Sequence, residues 1–425
     1  MAGPELAGLS QEIRQGIFDI AKGHRLNDSY SSRAEAEVRK IGARHLDGVV
    51  SDVTELGDGN LNYVFRVSAG DSSVIVKQAP DYIRISGPSR PLTRDRARIE
   101  AEALVIHAAL APRRLPRLLE SLPDQGILVL EDLKGYQTLR QLALEPDVAS
   151  QRLDLVGEYA ARVHLLSSPL YLGPIERASL LSLFANPYLC RHTLGVMFRR
   201  PFDGSLIDDG DATVARLAHE LKSDVPLRAR IAQLAFHFSA TTEALLHGDL
   251  HTGSVMVSGE DVRVFDLEFA FMGPMSFDVG CLVAHLAFAH AYHRAMGNAL
   301  GVAAIDRWAN EFWRAYTITT AELWPESAGS RDVFLNGLLS DAAAYAGVEM
   351  IRRVVGGAYV PETSRLSADR RASTYECLVR NGRLLVHGTH EQDWGTIWAV
   401  ATRASGREHA GSSYPDNAPS PWPAR

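Results

Sequence analysis

The hydrophobic pattern of this chain changes period once, and the change limits the folds open to it. Strand-type runs dominate residues 53–130, and helix-type runs dominate the chain beyond residue 135. A small sheet and a larger helical body, segregated along the sequence, make an α+β fold of two lobes. Tyr63-Val64-Phe65-Arg66-Val67 and Ser73-Val74-Ile75-Val76-Lys77 flank the turn residues Ala69, Gly70 and Asp71, so two antiparallel strands are expected. Ahead of them, Ser32 and Glu35 have capping-box spacing, and Ala34, Val38 and Ile41 follow at helical intervals. Thr93 is placed to cap a helix whose residues Ala97, Ala101, Leu104 and Ala108 share one face toward the sheet. The apolar run 126–130 reads as a buried strand, ending in Glu131, Asp132 and Leu133 before Gly135 frees the backbone.

The lobe boundary is therefore expected at residue 133, with residues 1–133 as a β-rich, nucleotide-binding lobe and residues 134–404 as a catalytic, mainly helical one. In the second lobe, Leu153, Val156, Ala160 and Val163 form one helical stripe, and residues 279–295 form a largely apolar helix. Between them lies a short β-rich stretch, residues 245–265. The tail 405–425 is rich in Gly, Ser, Pro and Ala and too poor in apolar residues to offset its ordering entropy, so disorder is expected there.

A chain of 425 residues with 46% hydrophobic content can fill two cores. The net charge of -7 gives no cationic surplus for a polynucleotide, which favours a small ligand. Cys190, Cys281 and Cys377 are too few and too scattered for a disulfide framework or a zinc site, and no window has the roughly 20 apolar residues of a membrane span. The amino-terminal segment lacks the apolar centre of a secretory leader, so the expected compartment is the cytoplasm.

Three carboxylates follow strands in the β-rich stretch: Asp249 in His-Gly-Asp-Leu-His, and Asp266 and Glu268 in Asp-Leu-Glu. Phosphoryl transfer needs one carboxylate to orient the attacking hydroxyl and accept its proton, and others to hold Mg2+ against the phosphates. Asp249 suits the first role, Asp266 and Glu268 the second. Taken singly, each is also what a turn cap looks like. Gly57, Gly59 and Asn60 precede a strand and can bring backbone N–H groups against phosphate, although an isolated hairpin turn reads the same way. Lys77 ends a buried strand and needs an anionic partner unless it snorkels from the sheet edge; Glu100, in line with Ala97 and Leu104, is the candidate. Asp278 begins an apolar helix and is expected to cap it or to brace the loop of Asp249. His285, His290 and His293 lack a carboxylate in their segment to complete a metal site, so satisfied core histidines are expected. Arg352 and Arg353 end a helix, where they either favour its dipole or hold substrate oxygens.

With Gly-Asp-Gly-Asn-Leu-Asn, a strand lysine, Leu-Glu-Asp-Leu, His-Gly-Asp-Leu-His-Thr-Gly-Ser and Asp-Leu-Glu-Phe-Ala-Phe in that order, the chain resembles the methylthioribose kinases of the aminoglycoside-phosphotransferase and protein-kinase-like superfamily. Ser254, where related kinases have asparagine, and the Asp-x-Glu triplet both fit that resemblance. It implies a two-lobed protein-kinase-like fold, ATP as phosphate donor and Mg2+ as cofactor, with Asn60 and Lys77 on the phosphates and the backbone of Glu131, Asp132 and Leu133 at adenine. It also implies Glu268 as a source of metal oxygen and Arg352 or Arg353 on the sugar. The implied reaction phosphorylates the anomeric hydroxyl of 5-methylthioribose in methionine salvage, and the family resemblance is compatible with a homodimer. Two positions depart from the family pattern: Arg90 stands where tryptophan precedes Pro-Leu-Thr, and Met272 where tyrosine precedes Gly-Pro-Met. A kinase for another 5-modified pentose or an aminoglycoside-type acceptor is the alternative, and a nucleotide-binding pseudokinase is a third reading.

Overall fold

The computed structural model describes residues 30–56, 61–148, 151–204, 211–356, 360–388 and 393–404. Gly57, Gly59, Asn60 and the tail 405–425 lie outside them. The amino-terminal part is a five-stranded antiparallel sheet in the order β1 (Asp52–Glu55), β2 (Tyr63–Ala69), β3 (Ser72–Gln78), β7 (Ile127–Glu131), β6 (Leu118–Leu122). A small ribbon of β4 (Tyr82–Ile83) and β5 (Gly87–Pro91) stands beside it.

The period of two divides this sheet. Phe65, Val67, Val74, Val76, Ile127 and Val129 point to one side, where Val38 and Ile41 of helix α1 (Tyr30–Gly42) cover them. Ile75, Leu128 and Leu130 point to the other, against Ala97, Ile99 and Leu104 of α2 (Arg96–Leu110). Burying each of the larger aliphatic side chains is worth roughly 1.5–3 kcal/mol, enough to fix the register of both faces. The same alternation puts Lys77 on the α2 side.

Three local expectations are corrected. Ser32 lies inside α1 rather than at its cap. Thr93 does not cap α2: its hydroxyl accepts the Asp95 N–H at 3.1 Å, closing a turn that delays the helix to Arg96. Ala108 is exposed, and the buried line of α2 ends instead on His107, whose Nδ1 meets the Tyr159 hydroxyl at 2.8 Å.

By β8 (Gln137–Thr138) the chain has entered the second part, because β8 pairs with β10 (Val255–Ser258), which pairs in turn with β11 (Asp261–Val264). A separate pair joins β9 (Ala244–Leu246) to β12 (Phe271–Gly273). Around these strands pack α3 (Leu153–Leu166), α4 (Met275–Met296), α5 (Ala299–Leu323), α6 (Arg331–Val355) and α7 (Ala368–His387). Helix α4 is apolar on all sides and buried from Met275 to His293, the behaviour of a central helix. Its Gly280 lets α6 approach closely, since a Cβ there would lie 2.6 Å from the Ala342 carbonyl oxygen. Among the described residues no helix is long and apolar enough to cross a membrane.

Candidate active site

Strand β9 is wholly buried and delivers residues 247–254 to the edge of the helical part. The loop is held from below by Asp278 at the start of α4, which is 1% exposed. Its two oxygens accept the N–H groups of His247 (2.7 Å) and Gly248 (2.9 Å), and His164 Nε2 lies 3.3 Å away. Gly248 has φ +81°, and a Cβ on it would lie 2.1 Å from the Phe269 carbonyl oxygen, so the turn admits only glycine.

His247 joins the two carboxylate segments. Its Nδ1 accepts the Asp249 N–H at 3.2 Å, which leaves Nε2 to donate to the Phe265 carbonyl at 3.0 Å, one residue before Asp266. Burial lowers its pKa against the pull of Asp278, so the ring stays neutral. Ser254 is buried and spent on the loop itself: its hydroxyl accepts the His251 N–H at 2.9 Å and sits 3.1 Å from the Asp249 carbonyl.

The Asp249 side chain is 31% exposed, and His251 Nε2 stands 3.5 Å from Oδ2. Burial alone would push its carboxyl up, but His251, Arg353 and Arg352 together hold it well below the usual carboxylate range. Arg352 and Arg353 occupy the last turn of α6 and reach back to Glu349. Each of the three histidines of α4 has a separate partner: His285 lies 3.3 Å from Glu349, His290 3.5 Å from Asp306, and His293 2.7 Å from the Ala143 carbonyl.

Across from this loop, Lys77 is buried, with Nζ 2.7 Å from Glu100 Oε2 and 2.9 Å from Oε1. It is also bonded to Asp266, whose φ is +69°, in the left-handed region that aspartate tolerates. Burial would drive the ammonium toward neutrality, but Asp266, Glu100 and Glu268 surround it and keep it protonated. Glu100 is pushed up by burial, against the pull of Lys77.

Arg96, which no sequence motif singles out, organises the other carboxylate. It is fully buried, and its Nε lies 3.0 Å from both Asn62 Oδ1 and Glu268 Oε2. Its remaining donors reach the carbonyls of Pro80 (2.7 Å), Thr93 (2.5 Å) and Leu61 (3.1 Å). Asn62 Nδ2 donates to Glu268 Oε1 at 2.9 Å. A signal was present: Arg96 precedes Glu100 by four residues and so shares its face of α2. Lys77, Arg96, Glu100, Glu268 and Asn62 pack together around one small buried gap beside Leu128.

Residues 131–133 divide their tasks. Glu131 pairs its backbone N–H with the Arg117 carbonyl, and the Asp132 carboxylate is taken by Arg66 (2.7 and 3.1 Å) and Ser73 (2.5 Å), which leaves backbone rather than side chain for a ligand at Asp132 and Leu133. A divalent cation would draw its donors from Asp266, whose side chain is 41% exposed, and from Glu268, whose buried Oε2 is ion-paired with Arg96 but has no aligned hydrogen-bond donor. These are hard oxygen donors of the kind Mg2+ takes. Among the described residues no three His, Cys, Asp or Glu side chains gather closely enough to hold an ion unaided, so phosphate oxygens and water would have to complete its shell.

The model of the phosphotransferase enzyme family matches residues 52–327. The chain is 35% identical over 340 residues to a methylthioribose kinase of Exiguobacterium sibiricum, covering 78% of this chain and 85% of that one. A methylthioribose kinase of Pectobacterium atrosepticum is 33% identical over 364 residues, 81% and 91% of the two chains, and one of Klebsiella pneumoniae is 33% identical over 353 residues, 78% and 87%. The structure of amicoumacin kinase hAmiN with AMP-PNP, Ca2+ and Ami aligns with a TM-score of 0.48 at 14% identity, over 83% of this chain and 93% of the other.

Proposed function

The chain belongs to the phosphotransferase enzyme family and groups there with the methylthioribose kinases, and on that premise we propose that it transfers the γ-phosphate of ATP to the anomeric hydroxyl of 5-methylthioribose. The product is 5-methylthioribose 1-phosphate. The observation that carries the reading is Asp249, a partly open carboxylate held ionised by His251, Arg353 and Arg352, on a loop that His247 ties to the residue before Asp266.

The residues divide the work. Asp249 orients the sugar hydroxyl and takes its proton as the oxygen attacks the γ-phosphorus; the bridging P–O bond breaks and ADP departs. Lys77, kept charged by the carboxylates around it and fixed by Glu100, holds phosphate oxygens, and Gly57, Gly59 and Asn60 are assigned to the same phosphates. The backbone of Glu131, Asp132 and Leu133 takes the adenine edge. Asp266 and Glu268 would hold Mg2+, which would supply positive charge against the phosphates. Arg352 and Arg353 aim donors at the sugar oxygens. Residues 1–133 then serve the nucleotide and residues 134–404 the acceptor and the chemistry, in a cytoplasmic enzyme.

Met272, one of the two departures from the family pattern, is buried in β12 and pairs with Leu245, a core position; Arg90, the other, is exposed on β5. An acceptor screen with ATP and Mg2+, read by 31P NMR, tests the reading. A sugar 1-phosphate from methylthioribose, with no product from aminoglycosides, is expected; turnover of an aminoglycoside in its place overturns it.

A further inference from the structure

We propose that Glu349 is a positioning residue that clamps Arg352 and Arg353 into one direction before the acceptor arrives, an inference that rests on the sugar-kinase reading above. Consecutive positions on an α-helix point about 100° apart, so neighbouring arginines splay and repel. Their Cα–Cβ bonds nevertheless tilt toward the helix N-terminus, which brings the residue one turn back within reach of both. Glu349 is three residues before Arg352 and four before Arg353.

The structure uses that reach in full. Glu349 Oε1 accepts from Arg352 Nη2 and from Arg353 Nε, each at 2.8 Å, and Oε2 accepts from Arg352 Nε. The carboxylate is 1% exposed and the two arginine side chains 12% and 15%, so the anion is sealed in and the cations are the more open partners. His285 Nε2 on α4 lies 3.3 Å from Oε1, and its Nδ1 lies 3.4 Å from Arg140 Nη2. The His285 ring packs on His251 with centroids 4.8 Å apart, and His251 is the side chain beside Asp249.

One anion shared by two cations leaves a positive charge over, and the neighbouring Asp249 feels both guanidinium groups. Fixed donors lose less freedom on binding than mobile ones, so a sugar presented to this pair is held at Asp249 at lower entropic cost. An ion pair serving only the helix end would affect melting and leave acceptor kinetics unchanged.

Steady-state kinetics of Glu349→Gln and Glu349→Asp against the wild type decide between the two roles. Gln keeps the shape but carries no charge and only one acceptor oxygen for the two guanidinium groups, so the acceptor KM should rise about tenfold to a hundredfold while the ATP KM stays within about twofold. Asp retains the charge and should recover part of the loss. If Glu349→Gln does not fold, Glu349→Asp is expected to show the same acceptor-specific rise at smaller size. Folded variants with an unchanged acceptor KM, or with equal losses for ATP and acceptor, overturn the clamp. Hydrogen exchange of the Arg352 and Arg353 Nε–H groups by 15N NMR reads it without any acceptor: protection in the wild type, lost in Glu349→Gln, supports the clamp, and equal exchange in both refutes it. A wild type inactive on methylthioribose but with protected Nε–H groups would reject the acceptor assignment and keep the clamp.

Discussion

Replacing Arg96 with Met should cost more than its position beside a helix start suggests, and the cost should depend on pH. The side chain is fully buried, and its loss leaves Glu268, 3% exposed, without its adjacent cation. Breaking a buried pair costs about 3–5 kcal/mol, because the remaining charge is desolvated and uncompensated. Glu268 can escape by taking a proton. From a reference pKa of about 4.3, that costs ~1.36 kcal/mol per unit, or about 3.7 kcal/mol at pH 7 and about 1 kcal/mol at pH 5. The Pro80, Thr93 and Leu61 carbonyls lose donors as well, each worth about 1 kcal/mol where water cannot replace them. The expected loss is therefore roughly 4–6 kcal/mol at pH 7, shrinking by as much as about 2.7 kcal/mol at pH 5. These are ceilings, because burial already raises Glu268 in the wild type and Lys77 remains close. The sign follows from linkage: in the variant the folded state binds the Glu268 proton more tightly than the unfolded state does, so its stability relative to wild type improves as pH falls toward the unfolded value and worsens as pH rises. Urea unfolding at both pH values measures this, and Arg96→Met with Glu268→Gln should recover most of the pH-7 loss. A loss below about 1 kcal/mol at pH 7, or the same loss at both pH values, would refute the reasoning.

Asp266→Ala should weaken Mg2+-dependent nucleotide binding by at least about tenfold, ~1.4 kcal/mol, in calorimetric titration; equal affinity with and without the carboxylate would remove Asp266 from the metal site. The acid limb of kcat/KM for the acceptor should not reflect Asp249 above roughly pH 4, because its pKa is held down and it stays ionised. His251→Ala removes part of that restraint, so the limb should move to higher pH; an unmoved profile would show that His251 does not act on Asp249.

The legible part of this protein is what periodicity carries. Lys77 and Glu100 could be paired from sequence because a period of two fixes the face of β3 and a period of 3.6 fixes the face of α2, and the two faces pack together. The place of Asp278 at the start of an apolar helix left a cap and a brace both open, and its bonds to the His247 and Gly248 N–H groups select the brace. Glu349 was not legible, because a buried charge is recognisable only once its partner is known, and the spacing of Arg96 from Glu100 marks its face of α2 without naming Glu268 or Asn62. Asn62 and Glu268 meet across 206 positions of sequence, which no local pattern records. Glu349 follows the apolar run 342–348 of α6, where one acid reads as a tolerated exception, and its value comes from two arginines that local rules assign equally well to the helix dipole. Thr93 failed for a local reason: a hydroxyl three residues before a helix can close a turn as readily as cap one.

The central claim is that Asp249 activates the acceptor hydroxyl in a site that binds ATP without its help. Steady-state turnover of ATP and methylthioribose by Asp249→Asn, alongside ATP affinity of the same variant, tests this most directly. A fall in kcat of about 10²–10⁴-fold with ATP affinity unchanged is expected, since only proton acceptance is removed. Turnover within about tenfold of the wild type would contradict it and assign the proton to another group.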